Sequence, residues 1–203
     1  AINQTKAAAG GKIYAEYCAA CHGAKGQSFA PQDGLPQTEC LKPGESEDIY
    51  GPIVGKITRI EDIATDRRRL DSFSYALAVN MGTPYAGTPY RFCHYRKTFG
   101  YANMPLDGLW LRAPYLHNGS VPTLRDLLDV GDQRPKEFYR GNDVYDPIKV
   151  GFVSTIAEEG GRKYFRFDTA IPGNGNGGHE GKSYGTELSA DEKDALVEFL
   201  KTF

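Results

Sequence analysis

Apolar residues recur with helical spacing at both ends of the chain and with strand-like alternation in one short stretch between. Near the start, Ile13, Tyr14 and Tyr17 lie on one face of a helix expected from about residue 6 or 10 to residue 20. Near the end, Leu188, Leu196, Val197, Phe199 and Leu200 form an apolar stripe. Ser189, with Glu192 three positions on, gives that helix a capping box at its start. Residues 58–81 carry a second helical region, in which Phe73, Ala76, Leu77 and Val79 fall near helical spacing and Gly82 is the expected C-cap. Short helices are expected at 106–113 and 123–128. Residues 163–168 alternate as a strand should, and 151–156 is its expected hairpin partner. Glycine and proline break up 24–47, 82–105 and 171–179, which read as loops. The charged run Asp66, Arg67, Arg68 and Arg69 reads as a solvated turn. With no repeat and no linker, residues 1–203 form one domain.

Composition narrows this picture. At 203 residues and 40% hydrophobic content, the chain can bury one sizeable core with elaborations. A net charge of −2 argues against a nucleic-acid partner. No apolar run approaches the roughly 18 residues of a membrane span. The first residues have neither a basic n-region nor an apolar h-region, so any export signal is expected to have been removed or left out.

The chemistry concentrates at Cys18-Ala19-Ala20-Cys21-His22. CxxCH is the attachment site of a c-type haem, with both thiols bonded to the porphyrin and the histidine bonded to iron. On a helix, Cys18, Cys21 and His22 stand at i, i+3 and i+4 and face the same macrocycle. The competing readings are a redox CxxC pair and half of a zinc site, and a zinc site needs further ligands at matching spacing. Haem on the first of two terminal helices fits a mainly α, class I cytochrome c-like domain with long loops and a small β-hairpin. Its terminal helices are expected to cross. Attachment of this kind takes place outside the bacterial cytoplasm, which gives a periplasmic or secreted location.

Cys40 and Cys93 are left over. A disulfide between them would close a loop of roughly 50 residues and stabilise the fold by about 4 kcal/mol in the chain-entropy account. Two free thiols are the alternative. A third reading takes Tyr90-Arg91-Phe92-Cys93-His94 as a CxxCH lacking its first cysteine, holding a second haem by one thioether.

Three stretches carry a resemblance: GLWLRAPYLHNGSVPTLRDLL at 108–128, RPKEFYRGNDVYDPIKVGF at 134–152, and GNGNGGHEG at 173–181. With the CxxCH, they resemble the C-terminal haem domain of the rubber oxygenases, which are dihaem c-type enzymes. The 113–119 segment is similar, more distantly, to bacterial dihaem cytochrome c peroxidases. The resembling domain is six-coordinate with two histidines and serves electron transfer, and the motif around His179 looks like its distal histidine. Oxygen chemistry belongs to the other haem of those enzymes, so polyisoprene cleavage is not implied for this chain.

The residues leave several candidates for the second axial ligand: Met81, Met104, His94, His117 and His179. Met104 precedes a proline, as in the usual methionine-ligand loop, while Met81 suits core filling. His117 suits a bond to a haem propionate or a backbone carbonyl. His179 lies among glycines that let backbone approach a flat macrocycle, and Glu180 is placed to accept from its second ring nitrogen. The expected set is Cys18, Cys21, His22 and His179, with Met104 or His117 as the alternatives to His179. A six-coordinate site implies an electron carrier working with a redox partner protein. An open site, with His117 or His94 beside it, would imply a peroxidase or oxygenase. The loops 24–57, 82–105 and 130–175 are left to shield the haem or to form a docking surface rich in Tyr and Phe.

Overall fold

The computed structural model describes residues 1–23, 57–88, 90 and 97–203. Cys40, Cys93 and His94 lie outside the described residues, and with them the disulfide and single-thioether readings. The helices in chain order are α1 (Gln4–Tyr17), α2 (Ala19–His22), α3 (Ile60–Ile63), α4 (Arg68–Ser72), α5 (Tyr75–Gly82), α6 (Leu124–Leu127) and α7 (Ala190–Leu200). The strands are β1 (Ile57–Arg59), β2 (Gly100–Ala102), β3 (Glu137–Arg140), β4 (Tyr145–Asp146), β5 (Gly151–Phe152), β6 (Glu158–Glu159), β7 (Arg162–Lys163) and β8 (Phe165–Asp168).

The terminal helices cross as expected, and their capping is local chemistry. Asn3 accepts from the Lys6 N–H at the start of α1, and Ser189 and Glu192 form the full capping box at α7. The close approach depends on Gly10. A Cβ there would stand 2.0 Å from the carbonyl oxygen of Ala195, whereas one at Gly11 would meet only the Phe199 ring, at 3.1 Å. Backbone therefore packs on backbone, and Tyr14 fills the adjoining gap with its ring centre 5.2 Å from that of Phe199 and 5.1 Å from that of Phe203. Tyr14, Leu196, Val197 and Leu200 continue into a core with Tyr115, Val121 and Leu124.

Between these ends the mainly α expectation is only half met. The helices there are short, and four antiparallel strand pairs are present among the described residues: β1 with β2, β3 with β8, β4 with β5, and β6 with β7. The expected hairpin of 151–156 with 163–168 does not form. β8 pairs with β3 instead, placing Phe138 opposite Phe167 with ring centres 4.9 Å apart, and β5 pairs with β4. Both candidate strands have a suitable face, and the aromatic cross-strand pair favours the longer-range partner.

The 58–81 region is divided rather than continuous. Ala64, with a left-handed φ of 53°, ends α3, and Phe73 ends α4. Ser74 then caps α5, whose C-cap is Thr83 rather than Gly82. The 106–113 helix is a single 3-10 turn at Leu109–Leu111.

Candidate functional site

The CxxCH segment is not one uninterrupted helix. Cys18 ends α1, and α2 follows at once with bonds from Cys21 N and His22 N back to the Cys18 carbonyl, at 3.1 and 2.9 Å. The break keeps Cys18, Cys21 and His22 within one turn, so the expected common face survives. Gly23 closes α2, and its carbonyl accepts from the Tyr14 hydroxyl at 2.6 Å, which ties the motif to the helix crossing.

His22 Nδ1 lies 2.9 Å from the carbonyl oxygen of Met104. A carbonyl can only accept, so Nδ1 carries the proton and Nε2 presents its lone pair. Burial lowers the His22 pKa, and the Met104 carbonyl opposes that only in part. Met104 thus acts through its backbone on the His22 side, while its side chain is 58% exposed.

The His179 ring centre lies 6.3 Å from that of His22, with the planes at 47°. A metal between two imidazoles takes bonds of about 2.0 Å, and each bonded nitrogen lies about 1.1 Å from its ring centre, giving about 6.2–6.3 Å in all. The separation fits an iron held between the two rings. His179 Nδ1 is buried with no hydrogen-bond partner. Its pKa is lowered to about 4, chiefly by burial, then by His22 and Arg134, against the pull of its own backbone carbonyl. Both imidazoles are therefore held neutral, the form that binds metal. The sulfur side also suits a bound porphyrin: burial, with Cys21 adding to it, pushes the Cys18 thiol up to about 12, so the site favours an uncharged sulfur such as a thioether. Among the described residues no group of three or more His, Cys, Asp or Glu is placed to hold a bare metal ion.

The loop carrying His179 is irregular yet closely held. Gly178, at φ 80°, runs so near α3 that a Cβ would stand 2.4 Å from the backbone of Ala64 and Thr65. His179 itself takes a left-handed φ of 49°, and its N–H donates to the Ile63 carbonyl at 2.7 Å. Asp66, expected in a solvated turn, accepts from the N–H groups of Gly173 and Gly175 at 3.2 and 3.3 Å. Asn118 donates to the carbonyls of the same two glycines at 3.0 and 2.9 Å.

Glu180 is not where the sequence suggested. Its carboxylate accepts from the backbone N–H of Gly178 at 2.9 Å and of Gly131 at 2.6 Å, so it braces the loop rather than the imidazole. Those two bonds, the Gly131 one first, hold its carboxyl below the usual range. Tyr184 packs its ring 4.8 Å from His179 and donates to the Asp62 carbonyl at 3.0 Å.

His117 is stacked on Tyr101, ring centres 4.1 Å apart at 18°. Its Nε2 is buried without a partner, so the backbone-carbonyl role is not met, whereas a propionate would give that nitrogen an acceptor. Met81 is 45% exposed on α5, not in the core as its sequence position suggested.

Comparison with known proteins finds two cytochrome families. A family described as "RoxA-like, cytochrome c-like" matches residues 100–140, and one described as "Cytochrome C oxidase, cbb3-type, subunit III" matches residues 5–61, which include the CxxCH. The two matches support a c-type cytochrome carrying covalently bound haem c, with haem-based electron transfer as its general function. Neither bears on the likeness to dihaem peroxidases. Two relatives come from Sinorhizobium fredii (strain NBRC 101917 / NGR234). The chain is similar to "Uncharacterized protein y4iJ", 47% identical over 108 residues, and to "Uncharacterized protein y4iM", 41% identical over 118 residues. These alignments cover 50% and 51% of this chain but only 17% and 27% of the relatives, which are therefore much longer proteins. No helix among the described residues is long and apolar enough to cross a membrane.

Proposed function

We propose that this chain is an electron-transfer domain holding one haem c through Cys18 and Cys21, with His22 and His179 on the two faces of the iron. The observation that carries the proposal is the 6.3 Å between the two imidazole rings. When bound, the haem supplies reversible one-electron exchange. The chain's residues do the rest. The Met104 carbonyl fixes the tautomer of His22, and the loop from Gly173 to Gly181 presents His179 from the opposite side. Two histidines favour a lower potential than a histidine–methionine pair would give. With both faces occupied, no position is left for peroxide or dioxygen, which is why a carrier is preferred to an oxygenase or peroxidase. The attachment chemistry argues for a periplasmic or secreted protein, and a carrier needs a redox partner protein to donate and accept its electrons.

Covalent attachment is tested by acid–acetone extraction, in which the colour is expected to stay with the protein. A haem that passes into the acetone would end the proposal at its first step. Coordination is tested by visible spectra of both oxidation states with and without carbon monoxide. The expected spectra are low-spin, lack the far-red band of a methionine–iron bond, and do not change when carbon monoxide is added. Immediate uptake of carbon monoxide with turnover of peroxide would point to an enzyme instead.

A further inference from the structure

We infer that Arg134 is the positioning residue that keeps His179 on the iron. The inference rests on the ligand assignment proposed above. Arg134 is 2% exposed, and all five of its guanidinium bonds go to backbone carbonyls. Nε donates to Asp129 at 2.8 Å, and Nη1 to Asn176 at 2.5 Å and Gly178 at 2.9 Å. Nη2 donates to Leu127 at 3.1 Å and to His179 itself at 3.3 Å.

Two acceptors, Leu127 and Asp129, lie in and just after α6; the other three lie in the loop that ends at His179. The guanidinium is thus a direct tie between a framework segment and the backbone that bears the ligand, bonding the His179 carbonyl itself. None of its bonds goes to a carboxylate; Glu180, Asp129 and Asp126 act on it only through space. A planar fork with five donors can satisfy five carbonyls at once, whereas a lysine has three donors at one point and cannot span both segments. Pocket filling alone needs no such set of bonds. The buried positive charge beside His179 also disfavours the ferric over the ferrous state, so it raises the reduction potential.

The experiment uses the haem-loaded protein with Arg134→Lys and Arg134→Met, reading carbon monoxide binding to the ferrous form, ferric spin state, reduction potential and thermal melting together. Losing bonds to the loop carbonyls should raise the ligand-off population about tenfold or more. Both variants are therefore expected to bind carbon monoxide faster and to show ferric high-spin character. The potential should fall in Arg134→Met and fall less in Arg134→Lys, which keeps the charge. If the methionine variant does not fold, the lysine variant alone decides through its carbon monoxide rate and spin state. Variants that melt at lower temperature but keep wild-type spin state, potential and carbon monoxide behaviour would overturn the inference and leave Arg134 a purely structural residue. The ligand assignment fails separately. A His179→Ala variant with an unchanged spectrum would remove it whatever Arg134 does, whereas a His179-dependent spectrum with indifferent Arg134 variants would overturn only the role of Arg134.

Discussion

With His179 replaced by alanine, the ferric protein is expected to go from low-spin to high-spin, and its ferrous form to take up carbon monoxide on mixing. The neutral imidazole supplies one strong-field bond that water does not replace, and two described neighbours of His179 are already engaged. Tyr184, the ring nearest His179, is tied to the Asp62 carbonyl, and Glu180 is engaged by two backbone N–H groups. Two companion variants sharpen the test. His117→Ala removes a ring stacked on Tyr101 and should leave the spin state as it was. Met104→Ala keeps the carbonyl that orients His22, so it too should be spectroscopically quiet. A silent His179→Ala together with a Met104→Ala that abolishes a far-red band would reverse the assignment.

The second large effect is expected at the helix crossing. Alanine at Gly10 drives its Cβ to within 2.0 Å of the Ala195 carbonyl oxygen, and backbone cannot swing aside as a side chain can. Overpacking of this kind costs about 3 kcal/mol or more, against about 1 kcal/mol gained from alanine's better helix propensity. A net loss of about 2 kcal/mol or more corresponds to a melting temperature lower by at least about 4–8 °C in a chain of this size. Gly11→Ala gains the same propensity and meets only the Phe199 ring, so its melting temperature should stay near wild type. Thermal melts of the two variants side by side decide the matter. Equal melting temperatures would mean that α1 and α7 do not meet backbone to backbone at Gly10.

Features written in local chemistry were legible in the sequence. The CxxCH pentapeptide, the capping box at Ser189 and the apolar stripe of α7 each lie within a few residues, and their geometry follows from helical spacing. The crossing of the terminal helices followed from placing the haem motif on the first. Strand pairing was harder to read, because 163–168 alternates, 151–156 is a nearby partner in sequence, and nothing local tells them to pair elsewhere. The Phe138–Phe167 contact that settles β8 joins segments about thirty positions apart. The mainly α expectation was met only in part for the same reason: the middle of the chain includes short strands joined at a distance. Glu180 was misjudged because adjacency in sequence suggested contact with the imidazole. The left-handed backbone at Gly178 and His179 instead turns its carboxylate onto main-chain N–H groups. Arg134 opens one of the stretches that carry the resemblance, but nothing singled it out there, since one of 24 basic residues does not announce that it will be buried.

The pinned state of the 173–181 loop bears on how fast electrons can move. By composition this is the segment least suited to hold a shape, yet Asp66, Asn118, Arg134 and Glu180 fix its carbonyls and N–H groups from four sides. On the proposed reading, the distal ligand then keeps its place when the iron changes charge, as His22 does under the Met104 carbonyl. Little nuclear rearrangement would accompany each transfer, because the surrounding dipoles are set in advance. The exchange rate would be governed by the distance to the partner and the driving force, not by a loop finding its position.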